Sequence, residues 1–464
     1  LLWLEEVDGD DALTWVRAQN ERSLARIEAH PLFETLHTQA LEVLTSEAAL
    51  PYPSLVGDRV FNFWRDANHE RGIWRATTVE GYRAAEPPWT TVLDVDALAA
   101  AEAENWVWAG ASCRRPDYQR CIVELSIGGS DATVQREFDM TTNTFVEGGF
   151  YVPSSKSALA WRTDDSMFYG PAFADGDLTD SGYPRTVRLW DRGTPRDEAP
   201  LLFEGNRSDV SVSGFRAWDG DVPYDMIVQS LTFYTRRYHM LHGDTLVELP
   251  IPIDARLVAI VAGQVVVELK SAWDTDAFSF PQGALVSFPY GDIDRSDAPL
   301  RTTLVFAPSP QQGVEQVVRT GDGLVVSIID NVVGTLLHLR FAGSSWEAEH
   351  VAINERERAA VMHQVERVWT QTTLSAPGFG AINLLDADER SGRLYYQYTN
   401  FLSPSTVVEA DAPLDTHTEL RAEPAWFATG AMRVAQHFAT SADGTQVPYF
   451  LVTPADFEPD GTTP

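Results

Sequence analysis

Few residues in this chain stand at spacings that could do chemistry, so each can be weighed singly. A serine nucleophile elbow needs Gly-x-Ser-x-Gly, which holds the serine on a strained turn between a strand and a helix. The nearest string is Gly128-Gly129-Ser130-Asp131-Ala132. It ends in Ala and lies between two strand-like runs, so it reads as a hairpin turn. His239 and His242 stand three apart in YHMLHGD. In a strand that spacing puts them on opposite faces, unsuited to sharing a metal. No His-Glu-x-x-His, P-loop or dinucleotide-binding glycine pattern occurs, and no metal or cofactor is expected. Cys113 and Cys121 could face each other across a hairpin and form a disulfide. Two free thiols are the other reading, because disulfide-stapled scaffolds carry more cysteines than two.

The charge balance narrows the partners. Acidic residues number 67 against 35 basic, a net charge of −32. Phosphate binding needs clustered cations, so nucleic acid is not expected as a partner. With so many carboxylates, no single pair of them is informative. Lys156 and Lys270 are the only lysines, and nearly every other cation is Arg. No run of about 18 apolar residues occurs, so no membrane-spanning helix is expected.

The elements that would position any site change character twice. Residues 9–48 carry a helical pattern, with Asp10 or Asp11 as cap and Leu13, Val16, Leu24 and Ile27 on an apolar face. His30-Pro31 breaks it, and a second helix is expected from Leu32 to Leu44. From about Pro51 the period becomes 2. RVFNFWRD, RGIWRATTV, RCIVELSIGG, TVRLWDRG, DMIVQSLTFY and RLVAIVAGQVVVELK read as short strands separated by Gly, Asp, Pro and Ser. Trp74, Trp161 and Trp190 fall inside such strands and read as packing residues.

The strands group into blocks of roughly 45–55 residues, the length of a four-stranded propeller blade. The blocks start near Leu55, Glu104, Gly149, Phe203, Ala255, Leu300 and Met362, which makes seven. The expected fold is therefore mainly β, a seven-bladed propeller, with a pair of β-sandwiches as the alternative. Near residue 425 the register changes again. MRVAQHFATSADGTQVPYFLVTP reads as a long hairpin turning at Asp443-Gly444, with positive φ expected at both residues.

The order of these parts resembles the prolyl oligopeptidase family of serine peptidases, in its bacterial prolyl endopeptidase branch. WLEEVDGDDALTWVRAQN (Trp3 to Asn20) resembles that family's opening segment. TTVLDVDALAAAEAENWVWAGASC, VQREFDMTTNTFVEGGF and LTDSGYPRTVRLW are similar to its blade segments. FATSADGTQVPYFLVTP resembles the strand pair by which the chain re-enters an α/β-hydrolase domain. Between about Asp254 and His363 only strand rhythm is recognisable.

The resemblance implies three parts. Residues 1–50 would be a helical segment belonging to the hydrolase domain, residues 51–424 the propeller, and residues 425–464 a linker and that domain's first hairpin. The family's Ser, Asp and His and its oxyanion-hole Tyr lie in the C-terminal third, so no catalytic residue is assigned here and the chain alone should be inactive. The implied role is to gate access to a serine endopeptidase that cuts short peptides after Pro. An oligopeptidase cutting after basic residues, or a stand-alone propeller that binds peptides or proteins, are the alternatives. The resemblance also implies that blades three and four lend side chains to the substrate cleft: Phe168 or Tyr169 from SMFYGPAF, and Phe233, Tyr234, Arg236 and Arg237 from SLTFYTRRYHM. Strand alternation predicts that Phe233 and Tyr234 cannot both face it. Expected partners are short peptides and the hydrolase domain of the same chain. A cytoplasmic monomer is expected, with a periplasmic or secreted location left open.

Overall fold

Both faces of most strands carry apolar side chains, and the fold buries both. The computed structural model describes residues 2–6, 9–44, 48–276, 278–294, 299–321, 323–342, 369–377, 379–425, 428–458 and 461. It divides into two compact units, residues 1–49 with 66–68, and the remainder.

The first unit holds helices α1 (Asp10–Glu28) and α2 (Phe33–Leu44). Gly9 takes the N-cap position of α1 and makes no side-chain cap bond, so Asp10 and Asp11 lie in the first turn instead of capping it. There they still favour the helix by facing the positive end of its dipole. Leu13, Val16, Leu24 and Ile27 are exposed, and Ala12 is the buried residue of α1.

Among the described residues the second unit contains seven antiparallel blade sheets, six of four strands and one, the second, of five. Their first strands are Ser54–Val56, Trp106–Cys113, Ala158–Trp161, Ser211–Asp219, Arg256–Val261, Gln312–Thr320 and Gly380–Ala387. The first four strands of each blade pair in chain order, the extra strand of blade 2 pairs with that blade's third strand, and neighbouring sheets pack face to face as a β-propeller. Two short helices, α3 (Val79–Arg83) and α4 (Val95–Glu102), flank the last strand of blade 1.

The blocks read near Gly149, Phe203 and Leu300 begin one strand early. Tyr151–Ser155 pairs with blade 2, while Leu201–Glu204 and Thr303–Phe306 are the outermost strands of blades 3 and 5. Outer strands are short and close to the next blade in sequence, so spacing alone does not say which sheet claims them. The block start at Met362 lies outside the described residues.

The core is divided into seven clusters, one per pair of neighbouring blades. Trp74 and Phe138 fill the wedge between blades 1 and 2, Ile122 and Tyr169 that between 2 and 3, and Phe168 and Ile227 that between 3 and 4. Met226 and Phe288, Val266 and Leu324, and Val325 and Tyr396 fill the next three. Polar ties cross some wedges. The buried Glu137 of blade 2 accepts from Arg192 Nη1 and Nη2 of blade 3 at 2.8 and 3.0 Å. Asp225 of blade 4 accepts from Arg162 of blade 3 at 2.8 Å.

The seam between blades 7 and 1 closes without exchanging a strand. Its cluster is small, with Val60, Val79, Tyr82 and Tyr395 fully or nearly fully buried. Polar contacts supplement it. Tyr82 meets Tyr395 edge-on at 5.5 Å and donates its hydroxyl to Pro51 O at 2.8 Å. Arg83 makes a bidentate pair with Glu409, at 2.7 and 2.8 Å. Leu55 N donates to Asp386 Oδ2 at 2.7 Å, and burial pushes that carboxyl above its usual range.

Met432–Thr440 pairs with Gln446–Pro454 in a separate two-stranded sheet. Its turn differs from the expected one: Gly444 has positive φ, at +89°, and Asp443 does not. Ser441 N donates to Thr445 O and Gly444 N to Ser441 O, at 2.9 and 3.0 Å. That is a three-residue loop with glycine in the left-handed position.

The seam carries a pH dependence. Burial pushes the Tyr82 phenol up to about 12, against the opposing pull of the Arg421 guanidinium. A raised pKa means the neutral form stabilises the fold, fully below about pH 10 and progressively less as pH rises through the folded value. Alkaline unfolding followed by tyrosinate absorbance should begin in that interval, and Tyr82→Phe should move its onset to higher pH.

Candidate functional site

Because the strands of each blade pair in chain order, their connections alternate between the two ends of the ring. First-to-second and third-to-fourth loops lie at one end. Second-to-third loops and the links between blades lie at the other. Exposed aromatic and aliphatic side chains gather at the second end: Phe173 of blade 3, Phe233 and Tyr234 of blade 4, Val332 of blade 6, Phe379 before blade 7 and Phe401 within it. The 432–454 hairpin meets this end as well. Phe450 packs on Phe401 at 4.9 Å and on Phe379 at 6.4 Å, and Gln436 Nε2 donates to Asn331 O at 2.5 Å.

The residues expected in a cleft separate into two groups. Phe168 and Tyr169 are 1% and 2% exposed. They sit on Ser166–Gly170, a strand buried at every position, and alternation sends them into opposite wedges. The Phe168 ring lies against Gly214 of blade 4, where a Cβ would approach it to 2.7 Å. Tyr169 stacks obliquely on Trp190 at 5.5 Å, and burial raises its phenol pKa. The structure therefore corrects the expectation: both side chains are interblade packing, because this strand has no solvent-facing side.

Phe233 and Tyr234 are the reverse case, at 81% and 84% exposure. The run DMIVQSLTFY is not one strand. The strand ends at Ser230 and the next begins at Arg236, leaving 231–235 as a loop. Leu231 N donates to Thr235 O at 2.9 Å, and the Thr232 and Thr235 hydroxyls meet at 2.7 Å. This polar base fixes the loop, and strand alternation no longer applies, so both aromatic rings project from the same tip.

Arg236 and Arg237 follow on the emerging strand. Arg237 pairs with Glu248 at 3.5 Å across a half-exposed edge. Arg236 lies on the face of Tyr238 and Met240, its backbone N donating to Ile253 O at 2.6 Å, and it makes no ion pair among the described residues. His239 packs on Phe203 at 4.7 Å, and burial lowers its pKa. His242 pairs with Asp294.

The Gly128–Ala132 string forms a turn, with φ of +65° at Gly128 and +82° at Gly129, and Ser130 Oγ donates to Ala132 O. Cys113 and Cys121 are opposite partners on adjacent strands, Cα atoms 3.9 Å apart, and are joined as a disulfide. The free-thiol alternative thus fails, because the hairpin register puts the two sulfurs side by side. Sequence reasoning missed Phe173, Phe379 and Phe401. Their signal was present: each is an aromatic among Pro, Gly, Ser or Asn (PAF, PGFG, NFLSPS), where no strand could bury it.

The family model for the prolyl oligopeptidase N-terminal beta-propeller domain matches residues 1–423. The chain belongs to the prolyl oligopeptidase family. Over its whole length it is 34% identical to an uncharacterized peptidase of Sinorhizobium fredii, of which it covers 62%. It is 23% identical to an uncharacterized peptidase of Rickettsia prowazekii, covering 63%. The chain thus spans less than two thirds of the length of these curated relatives. The fold is that of a post-proline cleaving enzyme from Rickettsia typhi, with TM-score 0.84 at 22% identity over 100% of this chain and 66% of that one. Oligopeptidase B from Leishmania major shares it at TM-score 0.59 and 14% identity, over 93% of this chain and 60% of that one.

The contrast between the two aromatic pairs is measurable by urea unfolding. Phe168→Ala and Tyr169→Ala should each cost about 3–5 kcal/mol. Phe233→Ala and Tyr234→Ala should stay within about 0.5 kcal/mol of the parent protein.

Proposed function

We propose that this chain is the propeller portion of a serine endopeptidase that cuts short peptides after Pro, and that the propeller gates access to the active site. The observation that carries the reading is the one-sided rim. Phe173, Phe233, Tyr234 and Phe401 are exposed at the end of the ring that the 432–454 hairpin also meets. Exposed aromatic side chains gathered at one end favour an interaction face. The occupant proposed for it is an α/β-hydrolase domain of the same polypeptide, which the greater length of the relatives supports. That domain would supply the serine nucleophile, the histidine base and the aspartate that orients it. The loop tip at Phe233 and Tyr234 would line the substrate path, with Arg236 available to hold a substrate carbonyl.

The decisive assay uses the full-length protein. Hydrolysis of a Gly-Pro chromogenic amide, abolished by a serine-reactive phosphonate, is the expected result. Faster turnover of an Arg amide would reassign the specificity to basic residues, and no turnover of either would favour a binding module. Tyr234→Ala should raise KM for a Pro peptide about three- to tenfold through loss of one aromatic contact, with kcat little changed.

A further inference from the structure

Lysine is rare in this chain, and one of the two, Lys270, stands in the wall of a cavity. The cavity measures about 470 Å³ and lies between blades 5 and 6. Lys270 and Gln282 come from the second-to-third-strand loop of blade 5, Ser309 from the link between the two blades, and Gln312 opens the first strand of blade 6. These connections belong to the end of the ring that exposes the aromatic side chains. Gly283, also in the wall, has φ of +79°, and a Cβ there would meet Pro308 of the blade link at 3.0 Å. Glycine thus lets the loop and the link close the wall tightly. The volume is that of a small-ligand site.

The charges in and beside this wall do not balance. Glu268 lies on the same side of its strand as Val266, toward blade 6, and its side chain is 4% exposed. One of its carboxylate oxygens accepts from Arg256, its partner on the adjacent strand, at 2.9 Å to Nε and 2.7 Å to Nη2. The other oxygen accepts from Lys270 Nζ. A buried carboxylate persists only when paired, so Glu268 anchors both cations. Neither cation is used up by it. Their side chains are about half exposed, and among the described residues no other carboxylate pairs with them. Each keeps N–H donors to spare. On the blade 6 side, Asp330 is engaged by Gln312 Nε2 and Asn331 Nδ2, at 2.8 and 2.9 Å. Two cations on one carboxylate leave a positive charge here, in a chain whose net charge is −32.

We propose that this cavity binds the free α-carboxylate of a peptide, with Lys270 and Arg256 donating to it and Glu268 positioning both. One surplus positive charge matches a single carboxylate better than a doubly charged phosphate. A guanidinium and an ammonium held side by side offer charge-assisted bonds to both carboxylate oxygens. The neighbouring surface is one the hairpin reaches, since Gln436 donates to Asn331 O, the residue after Asp330. The cavity therefore opens beside the proposed substrate path. An amidated end carries no such charge and would be held less well. The inference rests on the proposed reading for its peptide substrate, but the subsite itself is read by binding, without cleavage.

The test uses the full-length protein and a fluorescein-labelled hexapeptide with a methylene in place of the carbonyl after Pro, so that it cannot be cut. It is made as the free acid and as the C-terminal amide, and binding is followed by anisotropy at low salt. The acid should bind about five- to tenfold tighter than the amide. Lys270→Met should reduce that advantage below about twofold, and Lys270→Arg should keep it. Equal binding of acid and amide by the parent protein would overturn the subsite, and that comparison needs no variant to fold. An amidated peptide with an internal Glu separates chain end from side chain. If it binds as tightly as the acid, the assignment to the α-carboxylate is overturned. Cleavage is scored separately on peptides with the ordinary bond, where the KM ratio of amide to acid should follow the same pattern. Acid-selective binding with no cleavage of any peptide would keep the subsite and reject the peptidase reading. Cleavage without acid selectivity would do the reverse.

Discussion

Face-to-face packing of neighbouring sheets is the constraint on which this molecule depends. The middle strands of the sheets are covered on both faces, so they are apolar on both sides, unlike the alternating strands of a half-exposed sheet. Val265, Val266 and Val267 show it directly. The outer two enter the wedge between blades 4 and 5, and the middle one enters the wedge between 5 and 6. Phe168 and Tyr169 repeat the pattern two blades earlier. A ring built this way has no single centre of stability. Each wedge is held by its two neighbours, and the sequence of seven must close on itself.

Closure explains the chemistry at the seam and at one end. Blades 7 and 1 share few buried aliphatic side chains, and the Arg83–Glu409 pair, the Tyr82–Tyr395 contact and the Leu55–Asp386 bond take over part of the holding. Charges buried this way contribute little beyond their desolvation cost unless fully paired. Their value here is geometric, since each ties two blades that no shared strand connects. In the first-to-second-strand loops, Arg115 of blade 2 and Arg319 of blade 6 both reach Glu389 of blade 7, which extends the same logic to blades that do not adjoin.

The two ends therefore differ in kind. One is charged, with Arg115, Arg319 and Glu389 tied together across its loops. The other exposes aromatic side chains from blades 3, 4 and 7 and meets the 432–454 hairpin. This asymmetry arises within one scaffold, from loops that differ between the two ends.

Local pattern was enough to determine the two helices, the count of seven blades, the final hairpin and the nature of Gly128–Ala132 as a turn. These follow from the period of apolar residues and from Gly, Pro and Asp punctuation, which are properties of neighbouring residues. It was not enough to separate Phe168 from Phe233, since each sits in an apolar, aromatic run. Only the strand ends decided that one ring is packed on Gly214 and the other stands in solvent. Nor could it join Arg115 to Glu389, which are 274 residues apart. Periodicity reports which residues want to be buried. Which loops meet across an axis is set by how seven sheets close into a ring, and that is a property of the tertiary structure alone.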